Sequence, residues 1–305
     1  MQIYDLIIIG AGPAGITASI YAARKKLNFL VISLNIGGQA AWSGDIENYT
    51  GYQFITGPDL AQKFEEHIRK YGIELKENEA VLALKKSGET IFVKTNKADY
   101  QARCVIIASG KKSKELAVPG ENEFKNHGLT YCATCDGPLF SGRDVAVIGG
   151  GNSALDAALQ LIKIARFIYI VNSADQLLGD MVMRQKIEEA GNVKILNNSQ
   201  VLAVLGDKFV KAIKIKYGGI EKELAVSGVF VEIGLFPNSE FVEGVEKNQK
   251  KEIVVNLHNQ TNIPGIFAAG DVTDVPEKQI IIAAGEGSKA ALSVFRYLAK
   301  TRFSG

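Results

Sequence analysis

The chain has 305 residues, of which 47% are hydrophobic and 22% are charged. This composition excludes a disordered protein and supplies enough apolar material for two domains of about 100–200 residues each. The 35 basic and 33 acidic residues leave a net charge of +2. A balance so close to zero argues against a nucleic-acid-binding surface and against a polybasic membrane patch. The three cysteines, an odd number in a long chain, argue against a disulfide framework.

The longest uncharged stretch, residues 6–23, is interrupted by Pro13 and by three glycines. A strand, a turn and a helix explain this pattern better than a membrane span does. Asp5 stands where a signal peptide would already be apolar. We therefore expect a soluble, cytoplasmic protein with no membrane partner.

Two segments of the chain resemble each other, DLIIIGAGPAG at 5–15 and DVAVIGGGNSA at 144–154. Each predicts a buried strand, a glycine loop and a helix, which is the start of a βαβ unit. Further short strands that end in glycine are predicted at 104–110, 228–234 and 265–271, and the last helix at about 279–300. The predicted fold is α/β, with two Rossmann-like dinucleotide-binding domains of which the second is inserted into the first. The expected boundaries are 1–114 and 245–305 for the first domain and 115–244 for the second.

The glycine loops have the spacing of dinucleotide-binding loops. Gly10, Gly12 and Gly15 fit G-x-G-x-x-G, and Gly149, Gly151 and Ala154 fit the variant that ends in alanine. The first small residue permits the tight turn, the second lets a pyrophosphate approach the backbone, and the third lets helix and strand pack closely. The pyrophosphate then lies at the N-terminus of the helix. Two such loops suggest two cofactors, FAD and a nicotinamide dinucleotide.

Asp271 is the last residue of the segment 265–271, where it follows the predicted strand and Gly270. This places it to accept a hydrogen bond from a flavin ribityl hydroxyl, although a turn residue that caps the next helix would fit the same pattern. Both interpretations stay open at the level of sequence.

Cys132 and Cys135 form a C-x-x-C pair that is followed by Asp136. A zinc site would need two more ligands, and Cys104 and the scattered histidines lack the spacing to supply them. A redox dithiol suits a C-x-x-C pair beside βαβ units, with Asp136 able to give or take the proton. We therefore predict no metal, and interpret Cys104 as a small buried hydrophobic residue.

The order of the motifs resembles that of the low-molecular-weight bacterial thioredoxin reductases. These motifs are the first glycine loop, GGQ at 37–39, CATCDG at 132–137, GGGNSA at 149–154 and GIFAAGD at 265–271. The stretches DIENYTG, CDGPLFSG and KQIIIAAGEGSKAAL also resemble the flavoprotein subunit of alkyl hydroperoxide reductase. The resemblance covers essentially the whole chain.

This resemblance implies an FAD-dependent disulfide reductase that is usually a homodimer. Cys135 would be the sulfur nearer the flavin, Cys132 would exchange with the partner disulfide, and Asp136 would be the acid–base group. The domain that carries the dithiol would rotate about two hinges. The FAD contacts expected from this comparison are Gly10, Gly12, Pro13, Ala14, Gly15, Ser33, Gly38, Gln39, Asn48, Val81, Ser109, Gly110, Gly270, Asp271, Lys278, Gln279 and Ile280. Those expected for the nicotinamide nucleotide are Gly149, Gly151, Asn152, Ser153, Ala154, Asn172 and Gly234.

The second nucleotide site departs from the family pattern. Members that use NADPH have His-Arg-Arg after the second strand, where this chain has Asn172, Ser173 and Ala174. A later arginine is replaced by Leu178. Losing two charged hydrogen bonds to a 2′-phosphate would cost about 3–6 kcal/mol, so we expect NADH to be favoured over NADPH. Asn172 could accept a hydrogen bond from the ribose in NADH, or it could be a turn residue and leave that role to Asp175 or Asp180.

The predicted activity is that of a thioredoxin-disulfide reductase, with electrons passing from a donor through FAD and the Cys132–Cys135 pair to thioredoxin or a similar small redox protein. Three alternatives remain: a ferredoxin-dependent reductase, a reductase of a peroxiredoxin partner, and a flavin- and thiol-based redox sensor without turnover. The charged runs at 76–79 and 247–252 are predicted to be solvated turns.

Overall fold

The computed structural model describes residues 2–42, 45–46, 48–131 and 133–302, without the side chains of Trp42, Asp45, Thr134, Cys135, Thr301 and Arg302. The chain forms two compact units. The first consists of Met1–Lys112 and Phe236–Gly305, and the second is Ser113–Leu235. The second unit is therefore inserted into the first, as the sequence predicts.

The first segment of the first unit alternates strands and helices, continues in three longer strands and ends in a short one. Its elements are β1 (Ile3–Ala11), α1 (Pro13–Arg24), β2 (Phe29–Ile36), a 3-10 helix (Gly38–Trp42), β3 (Asp45–Ile46), β4 (Ile55–Thr56), α2 (Gly57–Lys70), β5 (Leu75–Lys76), β6 (Val81–Ser87), β7 (Thr90–Thr95), β8 (Asp99–Ile107) and β9 (Lys111–Ser113), the last of which reaches the boundary.

The second unit contains a complete βαβ arrangement followed by an antiparallel layer. Its elements are α3 (Glu121–Phe124), β10 (Leu129–Thr130), α4 (Ala133–Asp136), a 3-10 helix (Gly137–Phe140), β11 (Asp144–Ile148), α5 (Asn152–Ile162), β12 (Phe167–Val171), α6 (Met181–Glu188), β13 (Val193–Leu196), β14 (Ser199–Gly206), β15 (Val210–Tyr217), β16 (Ile220–Ala225) and β17 (Gly228–Val231). The chain then returns to the first unit through β18 (Leu235–Pro237), β19 (Ile266–Ala268) and α7 (Ile280–Arg302).

Each unit is built on a parallel sheet. In the first unit the order is β5-β2-β1-β8-β7-β6, with β19 also paired to β8, and the strands β5, β2, β1, β8 and β19 are parallel. In the second unit the order is β10-β17-β11-β12-β13 and every pairing is parallel. The α/β fold with two Rossmann-like units is therefore confirmed.

The strands at the centre of the sheets are buried on both faces, which explains their continuous apolar sequences. In β1, Leu6 and Ile8 face one core cluster while Ile7 and Ile9 face another. In the second unit, Val145 and Val147 of β11 face one cluster and Ala146 and Ile148 the other. Each fully buried valine or isoleucine contributes about 1.5–3 kcal/mol. Both sheets therefore hold their carboxyl-end loops on a rigid base.

The second boundary between the units falls at Leu235 rather than at the expected residue 244. Residues 236–244 belong to the first unit because Leu84 donates its backbone N–H to Phe241 O at 3.0 Å and Val242 is buried in the core of that unit. Local sequence gives no sign of this long-range pairing.

None of the helices in the described ranges has both the length and the apolar character needed to span a membrane.

Candidate active site

The first glycine loop joins β1 to α1 at the carboxyl end of the first sheet. Gly10 has φ +106°, and a Cβ there would lie 2.3 Å from Ala108 O. A Cβ on Gly15 would lie 1.8 Å from Gly10 O, so this position needs glycine for close packing of helix on strand. A Cβ on Gly12 would meet nothing closer than 3.9 Å. The backbone at Gly12 is therefore open to a ligand, and Pro13 begins α1 directly after it.

Other glycines and polar residues predicted to bind FAD meet around this loop. A Cβ on Gly38 would lie 3.2 Å from Gly12 Cα, and one on Gly270 would lie 3.0 Å from Ala14 Cβ. Asn48 donates its side-chain amide to Gln279 Oε1 at 3.1 Å, just before α7 begins at Ile280. Gln39 donates its amide to Lys111 O at 2.7 Å. The structure thus brings segments from both ends of the chain to one site.

Several of the predicted contacts serve the scaffold of this site. Ser33 Oγ donates to Asn35 O at 2.7 Å and accepts from Ala11 N at 3.0 Å, which fixes the last residues of β2 against the end of β1. Ser109 Oγ donates to Asn238 O at 2.6 Å, and Gly110 O accepts from Asn238 N at 2.9 Å. Val81 begins β6 and is partly buried. The hydroxyls of Ser33 and Ser109 already donate within the protein, so they orient loops rather than point freely at a ligand.

A cluster of four charged side chains lies beside the end of β19. Lys111 Nζ is 2.8 Å from Glu252 Oε1 and Lys278 Nζ is 3.4 Å from the same oxygen. Burial alone would raise the pKa of Glu252, but the hydrogen bonds from Lys111 and Asn248 and the charges of both lysines lower it to about 2. Desolvation raises the pKa of Asp271, and the charges of Lys278 and Lys111 oppose that shift.

The prediction that the two charged runs are solvated turns is wrong at their last residues. Glu252 and Glu79 are both buried. Glu79 accepts a hydrogen bond from Thr95 Oγ1 at 2.6 Å, and Glu252 accepts from Asn248 and Lys111. Their carboxylates are buried because each has a partner that is distant in sequence, and a local charge pattern does not reveal such partners.

The second glycine loop repeats the geometry of the first. Gly149 has φ +136°, and a Cβ there would lie 2.3 Å from Glu232 O, on the residue that follows β17. Gly151 has open space around it and caps the N-terminus of α5. Ala154 lies on the buried face of α5 and is fully buried, whereas Asn152 and Ser153, in the first turn of the same helix, are exposed. Gly234 is exposed, with φ +111°.

Asn172 follows β12 and faces the interior of its own loop. It is 3% exposed, and its Nδ2 donates to Gln176 O and to Asn197 Oδ1, each at 2.9 Å. Its Oδ1 accepts from Ala174 N at 3.2 Å, and a Cβ on Gly150 would lie 2.3 Å from that oxygen. These contacts favour the second of the two interpretations of Asn172, while its role at the ribose stays a prediction. Asn172 holds the loop that follows β12 against the second glycine loop. This is the role of a turn residue, which is the alternative interpretation.

The loop from 172 to 180 offers a different surface from the one that the NADPH pattern requires. Leu178 is 70% exposed and Met181 is 71% exposed. Asp180 caps α6 by accepting from Val182 N and Met183 N, whereas Asp175 is exposed. Arg184, which the sequence analysis did not consider, donates to Leu177 O at 3.2 Å. This hydrogen bond ties α6 to the backbone of the loop. Of the two acids suggested for the ribose, Asp180 is engaged in capping.

The dithiol segment lies in the second unit. Cys132 is outside the described residues, as is the side chain of Cys135, although the backbone of Cys135 belongs to α4. Asp136 ends α4 and accepts a hydrogen bond from Thr130 Oγ1 of β10. Cys104 is fully buried in the first unit, where desolvation raises its pKa to about 12, as expected of an inert thiol. Among the described residues no group of side chains could hold a metal ion.

One partly buried acid of the second unit was not anticipated. Glu232 follows the buried strand β17, and desolvation together with the negative charge of Asp156 raises the pKa of its carboxyl to about 8, against an opposing effect of the Ala133 backbone N–H. The sequence signal is an acid at the carboxyl end of a fully buried parallel strand, where ligand sites of α/β proteins occur.

These features define a class of protein, an oxidoreductase built on two dinucleotide-binding folds with a cysteine pair between the two glycine loops in sequence. A model of the pyridine nucleotide-disulphide oxidoreductase family matches residues 4–287. The chain belongs to this family. Members of the family and its thioredoxin reductase neighbours use FAD and NAD(P)H, and the open glycine loops at Gly12 and Gly151 fit the pyrophosphates of these cofactors.

The relatives include enzymes with different names. The chain is 41% identical over 298 residues to an NADH dehydrogenase of Bacillus subtilis (strain 168), covering 97% of this chain and 58% of the relative. It is 40% identical over 308 residues to the F subunit of alkyl hydroperoxide reductase of Escherichia coli (strain K12), covering 98% of this chain and 59% of the relative. The chain thus spans about three fifths of these curated relatives.

Among solved structures, the chain is similar to thioredoxin reductase from Lactococcus lactis, with a TM-score of 0.83, 34% identity and coverage of 97% of this chain and 99% of the other. It is also similar to a ferredoxin-flavin thioredoxin reductase from Clostridium acetobutylicum, with a TM-score of 0.55, 32% identity and coverage of 97% and 98%.

Proposed function

We propose that this protein is an FAD-dependent disulfide reductase of the thioredoxin-reductase type. The observation that carries the proposal is the pair of open glycine loops, one in each unit, with the C-x-x-C segment between them in the sequence. One fold is assigned to FAD and the other to the electron donor. Cys132 and Cys135 form the disulfide that is reduced and then reduces a partner by exchange.

The residues around the first loop fit FAD. The backbone at Gly12 and the N-terminus of α1 bind the pyrophosphate, while Gly10, Ala14 and Gly15 allow the close packing around it. Pro13, Gly38, Gln39, Asn48, Gly270, Gln279 and Ile280 complete the cradle, and Asp271 is the acceptor for a ribityl hydroxyl. FAD supplies the two-electron transfer between the donor and sulfur.

The exchange chemistry belongs to the cysteines and to Asp136. Two electrons and two protons open the Cys132–Cys135 disulfide to two thiols. The Cys132 thiolate then attacks the partner disulfide, and Cys135 resolves the mixed disulfide and releases the partner as a dithiol. Asp136, held by Thr130, gives and takes the proton at the thiols.

The decisive test is anaerobic titration with dithionite. The enzyme should take up about four electrons, two on the flavin and two on the sulfurs, because the dithiol is a second two-electron centre. Uptake of only two electrons would refute the dithiol role. In a Cys135→Ser variant the protein should stay yellow, take up two electrons and lose disulfide reduction.

For the donor we propose NADH rather than NADPH. Ser173, Ala174 and the exposed Leu178 offer no cation to a 2′-phosphate, and Arg184 is bonded to the loop backbone. Since Asn172 is engaged and Asp180 caps α6, the exposed Asp175 is the acid proposed for the ribose hydroxyls. An anaerobic comparison of flavin bleaching by NADH, NADPH and reduced ferredoxin tests this order.

Gly151→Ala gives a sharper test of the donor. The added methyl group has open space in the protein and φ is −91°, so the fold should stay intact. It would, however, stand where the pyrophosphate approaches, so the KM for NADH should rise at least tenfold. If ferredoxin is the true donor, reduced ferredoxin will reduce the flavin at the same rate in the wild type and in Gly151→Ala. NADH will then reduce the flavin in neither protein.

The partner is proposed to be thioredoxin or a similar small redox protein. The similarity to the F subunit of alkyl hydroperoxide reductase supports a second candidate, a peroxiredoxin or its thioredoxin-like adaptor. Steady-state assays with purified thioredoxin, and with a peroxiredoxin plus peroxide, separate the two. A protein that binds FAD tightly yet reduces neither partner with any donor would instead be a redox sensor. A homodimer and a cytoplasmic location remain proposals from the resemblance, and sedimentation velocity would test the first.

A further inference from the structure

The charged cluster beside the end of β19 consists of Lys111, Glu252, Lys278 and Asp271. Lys111 Nζ lies 2.8 Å and Lys278 Nζ 3.4 Å from the same oxygen, Glu252 Oε1. The other carboxylate oxygen, Glu252 Oε2, accepts the side-chain amide of Asn248 at 2.7 Å. Two ammonium groups therefore share one carboxylate, which leaves these three side chains with a net positive charge. Of the four charged residues, the proposed function uses only Asp271.

Lys111 comes from the segment that follows β8. It stands directly after Gly110, and its carbonyl oxygen accepts the side-chain amide of Gln39 at 2.7 Å. Gly110 and Gln39 are both expected FAD contacts. The backbone of Lys111 thus helps to hold the proposed cradle, while its ammonium group is bonded to Glu252.

Lys278 comes from the segment that follows β19. It directly precedes Gln279, and its ammonium group donates to Thr273 O at 2.5 Å. Thr273 in turn donates its backbone N–H and its hydroxyl to Gly270 O, at 3.0 Å and 2.7 Å. Gly270 and Gln279 are again expected FAD contacts. Both lysines are therefore fixed, by bonds seen in the structure, to the loops that are assigned to FAD.

The charges of this cluster are shielded from water. The side chains of Glu252, Lys111 and Lys278 are 8%, 11% and 23% exposed. Charges in such a place are screened less than surface charges and act over longer distances. Desolvation lowers the pKa of Lys278, and Glu252 opposes that shift. The charge of the cluster also reaches Asp271, where both lysines oppose the rise in pKa that burial causes.

We propose that the net positive charge of Lys111, Lys278 and Glu252 favours the reduced flavin over the oxidised flavin, and that Glu252 is the positioning residue that holds both ammonium groups at the FAD site. Reduction adds two electrons to the flavin, so a positive charge nearby stabilises the reduced form. Charge close to the ring is one of the means by which a protein tunes a flavin. The inference rests on the proposed binding of FAD at the first glycine loop.

The test measures the reduction potential of the flavin in the full-length, FAD-loaded protein. A Cys135→Ser background removes the second two-electron centre of the proposed function, so that only the flavin titrates. The protein is reduced slowly without oxygen beside a reference dye, and both are followed by absorbance. Lys111→Met is the main variant. Lys112→Met is its matched control, because Lys112 is the next residue and pairs with Glu240 at the surface, with 58% of its side chain exposed.

The expected shifts follow the sign of the charge that is removed. Lys111→Met should lower the equilibrium constant for flavin reduction about tenfold, which is ~30 mV for a two-electron couple. Glu252→Gln should raise this constant, and Lys112→Met should leave it unchanged. A structural defect gives no reason for the sign to follow the charge. Shifts of the same sign in Lys111→Met and Glu252→Gln, or an equal shift in Lys112→Met, would overturn the proposal.

A double variant guards against a fold defect in Glu252→Gln. Lys111→Met combined with Glu252→Gln removes one charge of each sign, so the potential should return to that of the parent. A double variant displaced as far as Lys111→Met alone would count against the proposal. The measurement needs neither donor nor partner protein. If the protein binds no FAD, the proposed function and this inference fail together, whereas bound FAD with unshifted potentials overturns this inference alone.

Discussion

Glu252 shows how a single buried carboxylate organises the first unit. Two lysines converge on it, and both it and Lys111 are nearly inaccessible, at 8% and 11% exposed. An ion pair in such a place is costly to break, because removing one partner leaves a buried charge uncompensated.

We therefore expect Glu252→Gln to lower the free energy of unfolding at pH 7 by about 3–5 kcal/mol, measured by urea denaturation with FAD absent. Glu240→Gln is the control, since Glu240 pairs with Lys112 in an exposed position and should cost less than about 1 kcal/mol. Equal effects of the two substitutions would contradict the buried-pair interpretation.

The pH dependence of the same group has a defined sign. The pKa of Glu252 falls from 4.5 to about 2 on folding, so its stabilisation is complete above pH 4.5 and is lost as the pH falls from there through 2. The loss amounts to about 3 kcal/mol. Denaturation at pH 7, 4 and 2.5 should show the difference between wild type and Glu252→Gln shrinking as the pH falls. A difference that does not change with pH would refute this assignment.

Asn172 allows a prediction about how one substitution would change the affinity for NADH. Nicotinamide sites that use NADH often carry an acid near this position, which suggests Asn172→Asp as an improvement. The structure predicts the opposite, because a carboxylate oxygen would replace the Nδ2 donor that now faces Ala174 O, Gln176 O and Asn197 Oδ1. We expect a loss of about 2–4 kcal/mol in stability and no gain in NADH affinity, measured by urea denaturation and NADH titration. A tighter NADH complex would contradict this.

At the scale of elements, the small residues of one loop have separable roles. Gly12→Ala should fold normally, since its Cβ has room, but should weaken FAD binding. Gly15→Ala would place its methyl group 1.8 Å from Gly10 O, so α1 must move and the first unit should be destabilised even without FAD. Thermal unfolding of the two apoproteins and FAD titration distinguish these effects. Equal melting temperatures would refute the packing role of Gly15.

The elements themselves could largely be predicted from sequence. The sequence predicts strands at the start of 5–15 and 144–154 and at 104–110, and the structure has them at Ile3–Ala11, Asp144–Ile148 and Asp99–Ile107. The final helix is also confirmed, because apolar runs and glycine loops are local signals. The roles of single side chains and the second domain boundary could not be predicted, because they depend on residues that are distant in sequence. Ser33 is engaged by Ala11, Asn172 by Asn197, and residues 236–244 join the first unit through Leu84. Such hydrogen bonds leave no periodic trace in the sequence.

At the scale of the whole molecule, the insertion predicts that each unit can be isolated. Lys114 N donates to Gly234 O at 2.9 Å, so the two ends of the second unit are adjacent. Asn238 N donates to Gly110 O at 2.9 Å, so a short Gly-Ser linker could close the first unit after its insert is removed. We expect the excised first unit to bind FAD and the fragment 113–235 to bind none. Circular dichroism and flavin absorbance would check this, and a first unit that fails to bind FAD would contradict it.

The close contact between α1 and α7 bears on how the protein matures during translation. A Cβ on Gly287 would lie 1.9 Å from Ala14 O, so α1, made before the insert, packs directly against α7, made after it. At about 5–20 residues per second, the ribosome needs roughly 4–14 s to add residues 236–305 after the insert is complete. The nascent insert can therefore fold first, while residues 2–112 wait for residues 236–302 to complete the packing of the first unit.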